Sequence, residues 1–216
     1  MSDWTLLDIQ KKVGQECGDP DATGYPNAIK AHITDAIESL ASDIVTIADS
    51  ERALNDAERN KYAEILNLSE NEISPMLQEV TITPSYSNGI AVVSVTNANF
   101  PKAIKIRDLF SNPQNATKIK FHKLNSMKEF NRKISNPHLR PETDEAVWFN
   151  SGNKIYINYP GSQTRVINFS CFVSIDYSAW TATTDLQTLG FGTGFLEKVI
   201  DRASYTMRLQ LGFEKR

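Results

Sequence analysis

The chain has 216 residues, 40% of them hydrophobic, and 23 Lys plus Arg against 26 Asp plus Glu give a formal net charge of −3. That length carries one large domain or two small ones, with enough apolar material for a core. With charged residues at only 23%, Gly at 10 of 216 and polar residues breaking every apolar run well short of ~18 residues, bulk disorder, collagen and a transmembrane chain are excluded.

Charge becomes informative when divided along the chain. Residues 1–80 hold 6 basic and 16 acidic side chains, net −10, whereas residues 101–140 hold 10 basic ones and only Asp108 and Glu129 as acids, net +8. Residues 81–100 carry none, and residues 141–216 balance at −1. Opposite potentials on one chain suit head-to-tail association of copies or an anionic surface meeting one face. The alternative reading is a solvated acidic helix face beside an ordinary basic loop.

Leu6, Ile9, Val13 and Cys17 fall on one stripe of a 3.6-residue repeat, which predicts a first helix from Trp4 to Cys17. The segment GDPDATGYPN breaks it. Pro26 then suits a first helical turn, and Ile29, Ile33, Ile37, Leu40, Ile44 and Ile47 predict a second helix over about 26–48. Asp49 and Ser50 are expected N-caps for a third, in which Leu54, Tyr62, Ile65 and Leu66 are apolar and which ends near Asn67.

After Pro75 the period changes to 2. Val80 and Ile82 alternate with Thr81 and Thr83, and Asn88-Gly89 is a turn before the strand IAVVSV. Ile104 and Ile106 alternate with Lys105 and Arg107, and Ile119 and Phe121 with Lys118, Lys120 and His122, predicting strands with a basic outer face. Ser126 and Glu129 form a capping box for a short helix carrying Met127, Phe130 and Ile134, which ends before Pro137. The pattern VWFN-SGN-KIYINY-PGSQT-RVINFSCFVSIDY predicts an antiparallel meander whose last strand alternates from Ile167 to Tyr177. From about Thr193 helical spacing returns, with Leu196, Val199, Ile200, Ala203 and Met207 on one stripe before the tail LQLGFEKR. The expected class is α+β: residues 1–78 and 184–216 form a helical bundle, and 79–183 an inserted antiparallel β-domain.

Motifs that carry chemistry are scarce. Cys17 and Cys171 form no CxxC pair or Cys/His cluster, and His32, His122 and His138 stand at no metal-ligand spacing. HExxH, GxSxG and GxxxxGK[ST] do not occur. Gly190-Phe-Gly192-Thr-Gly194 is the nearest thing to an anion cradle, yet no Lys follows it, and a flexible hinge is the favoured reading. Asp144 and Glu145, as neighbours on an extended chain, point to opposite sides and make a poor acid–base pair. Trp148, Phe149, Tyr156 and Tyr159 are either sheet core or a stacking platform for sugars or single-stranded nucleic acid. No catalytic, cofactor or metal site is expected. The start MSDWTLLDIQKK lacks a basic and an apolar signal region, so an unexported product is expected.

The order of elements resembles the head-to-tail adaptors of short-tailed bacteriophages, also called connector or tail tubular proteins. The resemblance rests on NGIAVVSVTNANFPKAIKIRDLF, where Phe100-Pro101 precedes the strand AIKI, then on SMKEF, the hairpin VWFNSGNKIYINYPGSQTRV, the strand INFSCFVSIDYSAW and a closing helix. It implies a virion structural subunit at the head–tail junction, made in the host cytoplasm. Such subunits form a dodecameric ring between the portal protein and a tail or nozzle protein, and genomic DNA passes through without sequence-specific binding. Acidic helices lining that lumen would repel DNA, whereas basic ones would hold it through counterion release. The family's C-terminal segment implies a portal contact at Leu209, Leu211 and Phe213. The basic segment supplies Lys118, Lys120, Lys123, Lys128, Arg132 and Lys133 for contacts with other subunits or the tail. The alternatives are another tail or baseplate subunit, or a glycan-binding β-module using Trp148, Tyr156 and Tyr159.

Overall fold

The computed structural model describes residues 4–50, 55–113, 118–160 and 165–212. The chain divides into two compact units, Met1–Met76 with Ser174–Arg216, and Leu77–Val173. The class is α+β, as the two sequence periods predict.

In the helical unit, α1 (Leu6–Glu16) begins at Thr5, whose hydroxyl accepts the Asp8 N–H at 3.2 Å. Helix α2 (Pro26–Ala48) has Pro at its start, and α5 (Thr193–Leu211) ends at Gly212, held left-handed at φ 77°. Their predicted stripes form the core: Leu6, Ile9 and Val13; Ile29, Ile33, Ile37, Leu40 and Ile44; Leu196, Val199, Ala203 and Met207 are buried. Ile47 and Ile200, expected on the same stripes, are only half-buried.

The third helix departs from expectation. Asp49 is the C-cap of α2, and α3 is the single short helix Asp56–Lys61, capped by Asn55 through a box with Glu58. Turns then carry Tyr62 and Ile65 into the core. Leu54 lies outside the described residues.

The β-unit is two sheets. One has the order β1 (Leu77–Ile82), β7 (Ile167–Val173), β3 (Ala103–Ser111); the other has β2 (Ile90–Ser94), β6 (Lys154–Asn158), β5 (Glu145–Ser151), β4 (Lys120–Lys123). Their inner faces share one core: Val93, Trp148, Ile155 and Ile157 from the second sheet cluster with Ile106, Leu109, Ile167, Phe169 and Cys171 from the first. Phe100 packs edge-on against Phe169, centroids 5.2 Å apart.

Four strand expectations need correction. The meander is a β5–β6 hairpin only, because β7 belongs to the other sheet. The β-unit is not purely antiparallel: β4 pairs β5 in parallel, since α4 (Met127–Ser135) crosses between them. Strand β7 stops at Val173 rather than Tyr177, which starts a short 3₁₀ turn capped by Asp176. A bulge in β3 replaces the expected alternation, so Ile106 and Leu109 point inward, three apart, while Ile104 is 56% exposed.

The segment after β7 belongs with the helices, which places the second boundary at 173/174 instead of 183/184. Leu6 N–H donates to the Thr184 carbonyl at 2.8 Å, Lys30 Nζ donates to the Trp180 carbonyl at 2.9 Å, and Trp180 meets Phe191 edge-on.

Candidate interaction surfaces

The basic segment runs through β3, β4 and α4 of the β-unit. Lys118 is exposed just before β4, and β4 is an edge strand on which Lys120 and His122 face away from the core. Parallel register with β5 puts Lys120 4.0 Å from Asp144 and His122 3.6 Å from Glu145, so these acids partly neutralise the strand. Lys123 has a different role: its ammonium donates to the Arg107 carbonyl at 3.1 Å and sits 5.1 Å from the Trp148 ring centroid, tying β4 to β3.

Helix α4 supplies the rest. Ser126 accepts the Glu129 N–H as predicted, but the Glu129 carboxylate accepts from Asn125 N–H rather than closing the box on Ser126. Met127, Phe130 and Ile134 pack on Val147, Phe149 and Tyr156 of the outer sheet face. That packing turns Lys128 and Arg132 outward and leaves Lys133 half-exposed. Among the described residues, Lys118, Lys128, Arg132 and Lys133 form no ion pair. These four cations give the surface its excess positive charge.

At the other proposed contact, Leu209 and Leu211 lie on the last turn of α5, both half-buried, while Phe213 falls outside the described residues. The four aromatic residues do not form a platform. Trp148 is 0% and Tyr159 3% exposed, both in the core between the sheets, whereas Phe149 and Tyr156 stack together on the opposite face beneath α4. Alternation along β5 separates Trp148 from Phe149, so no single ligand reaches both.

The glycine-rich segment does cradle an anion, and the anion is internal. Glu72 reaches the start of α5, where its carboxylate accepts the Phe195 N–H at 2.9 Å and its carbonyl accepts the Gly192 N–H at 2.9 Å. A Cβ on Gly192 would lie 2.1 Å from Glu72 Oε2, so glycine is what lets the carboxylate in. The same unit holds another polar node: Arg202 on α5 pairs with Asp43 at 3.2 Å, with Glu64, and with the Ser39 hydroxyl at 3.0 Å. Neither Glu72 nor Arg202 was visible as a site, because each meets partners more than a hundred residues away.

Burial shifts four side chains further from ionisation, the thiols of Cys17 and Cys171 and the hydroxyls of Tyr86 and Tyr177. The Cys171 thiol is pushed up to about 11 and the Tyr86 hydroxyl to about 12, while Tyr177 is raised by burial first and by Glu38 and Asp35 second. Cys17 and Cys171 are free and buried. Among the described residues no three His, Cys, Asp or Glu gather as a metal set, and no helix is long and apolar enough to cross a membrane.

No protein-family model matches the chain, and no curated protein matches it either. The functional reading therefore stands on the residues themselves.

Proposed function

We propose that the chain is a non-enzymatic virion subunit, a head-to-tail adaptor of the short-tailed bacteriophage type. In this reading it forms a dodecameric ring between portal and tail and lengthens the DNA channel. The observation that carries the reading is the division of charge between the two units. The helical unit holds 11 basic against 20 acidic side chains, −9, and the β-unit 12 against 6, +6.

Such a chain carries complementary charge on its two units, which suits a closed assembly of identical copies. Acidic helices on the channel side let DNA pass, since the unit's excess of 20 acids over 11 bases repels the phosphates. The cations of the β-unit, Lys118, Lys120, Lys128, Arg132 and Lys133, meet neighbouring subunits or the tail. Lys123 is left out of that set because it is already committed within the fold. Leu209, Leu211 and Phe213 are the apolar residues proposed to contact the portal.

Reversing Lys118, Lys128 and Arg132 to Glu tests the assignment. Ring assembly on the portal is expected to fail while the fold, followed by circular dichroism, persists. Assembly of the triple variant at low salt as complete as that of the native chain would refute it.

A further inference from the structure

The two sheets of the β-unit end in four edge strands, β1 and β3 on one and β2 and β4 on the other, and three of these are guarded by the chain itself. At β2, Ser87 and Ile90 exchange backbone hydrogen bonds at 2.8 and 3.0 Å, and Asn99 Nδ2 donates to the Ser94 carbonyl at 3.0 Å. Strands β3 and β4 are tied together by Lys123, whose ammonium donates to the Arg107 carbonyl. Both also carry several charges, Lys105, Arg107 and Asp108 on β3 and Lys120, His122 and Lys123 on β4. Charges and side-chain ties of this kind keep sheet edges from pairing.

Strand β1 lacks these devices. Its sequence LQEVTI has Glu79 as its one charge and no proline, and it pairs with β7 without a bulge from Leu77 opposite Phe172 to Ile82 opposite Ile167. The direction of its backbone groups follows from the far side of β7. Asn112 N–H donates to the Val166 carbonyl, and the register runs on unbroken through Phe110 opposite Asn168, so Val166, Asn168 and Ser170 turn their backbone groups towards β3. Ile167, Phe169 and Cys171 therefore turn theirs towards Ile82, Val80 and Gln78 of β1. The N–H and C=O of Glu79 and Thr81 are left on the open side. They take no hydrogen bond among the described residues, and both residues are exposed.

We propose that β1 is a homotypic docking strand, to which β1 of a second copy pairs antiparallel about a two-fold axis at Val80. Glu79 N–H and C=O then meet the C=O and N–H of Thr81 in the second copy, and symmetry repeats the exchange. Val80 meets its own counterpart on the core-facing side, which doubles the three-stranded sheet. Charge selects this register, because an axis at Glu79 would set the two carboxylates directly opposite each other. The occupant is selected on similar grounds. An added strand must offer free backbone groups two residues apart beside apolar side chains, and β1 itself meets that need through Glu79 and Thr81 flanking Val80. The contact is isologous and closes at two copies, so it is independent of the ring reading.

Residue-resolved amide hydrogen exchange on the full chain alone, dilute and concentrated, tests the pairing. Glu79 and Thr81 are expected to exchange fast when dilute and about tenfold more slowly once about nine chains in ten are paired, because only the free chain exposes these groups. Gln78 and Val80, bonded to β7, should exchange slowly at both concentrations. Glu79→Pro removes an N–H from the open side and none from the β7 side, a place where an edge strand tolerates proline. Its far-UV circular dichroism should match that of the native chain, while Thr81 exchanges fast at every concentration. Equal exchange of Glu79 and Thr81 at both concentrations in the native chain would overturn the proposal, whatever the variant does. So would a concentration-dependent slowing at Thr81 that survives in folded Glu79→Pro.

Discussion

The contact between Glu72 and Gly192 makes a sharp test of how the helical unit is held together. Glu72→Ala removes a charge-assisted hydrogen bond to the Phe195 N–H, worth about 1.5–3 kcal/mol, together with about 0.3–1 kcal/mol of favourable interaction with the start of α5. Because Glu72 is half-buried and water partly replaces it, a loss of about 2 kcal/mol is expected. Gly192→Ala acts on the same bond from the other side. Its Cβ would sit 2.1 Å from Glu72 Oε2 and 2.6 Å from Cδ, so the carboxylate must swing away. The backbone itself, at φ −74°, accepts alanine without strain. Each single variant should therefore lose about 2 kcal/mol, or roughly 4–8 °C in Tm for a chain of this size. In the double variant the clash has nothing left to expel, so it should lose little more than either single. Urea unfolding followed by far-UV circular dichroism, with midpoints compared at a common slope, measures the cycle. A double variant whose loss equals the sum of the singles would show that Gly192 and Glu72 act independently and that this account of the glycine is wrong.

Trp148→Ala should destabilise the β-unit by about 3–5 kcal/mol, as expected for a large side chain with no exposed surface, and a loss below ~1 kcal/mol in urea unfolding would contradict its place between the sheets. Ser126→Ala should cost about 1 kcal/mol through the lost cap of α4; unaltered stability would mean that water replaces the hydroxyl fully. Alkali should weaken the fold in a defined window. Cys171, Tyr86 and Tyr177 all hold their protons more tightly when folded, so their contribution is intact below about pH 9 and is lost as pH rises towards 11–12. Urea midpoints at pH 8, 9.5 and 10.5 should fall in that order, less steeply in Cys171→Ala, and a rise with pH would reverse the sign of the argument.

Apolar spacing was enough to place the three long helices, since Ile29 to Ile44 and Leu196 to Met207 are buried on the stripes their spacing defines. Strands with one buried face were equally plain, as Ile119 and Phe121 alternating with Lys118, Lys120 and His122 illustrate. Pairing was not. Whether β7 follows β6 in one sheet or moves to the other depends on long-range partners, and alternation at Phe169 and Cys171 is the same in both cases. The bulge that exposes Ile104 leaves no periodic signal, because it breaks the period. The end of β7 was misplaced because Ile175 and Tyr177 continue the alternation by composition, while Asp176 caps a turn there. For α3 the signal existed: Asn55-Asp-Ala-Glu58 reads as a capping box and competes with Asp49-Ser50. The basic surface was legible as a run of cations, but its division of labour was not. Lys123 looks like Lys120 in the sequence, and only the neighbouring Arg107 carbonyl and Trp148 ring separate them.

The proposed ring subunit is expected to dock on a portal. Sedimentation of the purified protein alone and mixed with the portal ring of the same virion, at low and at moderate salt, tests it most directly. The account predicts co-sedimentation as a larger ring of fixed stoichiometry, weakened as salt screens the charges. A chain that sediments as a monomer and ignores the portal at every salt concentration would contradict it.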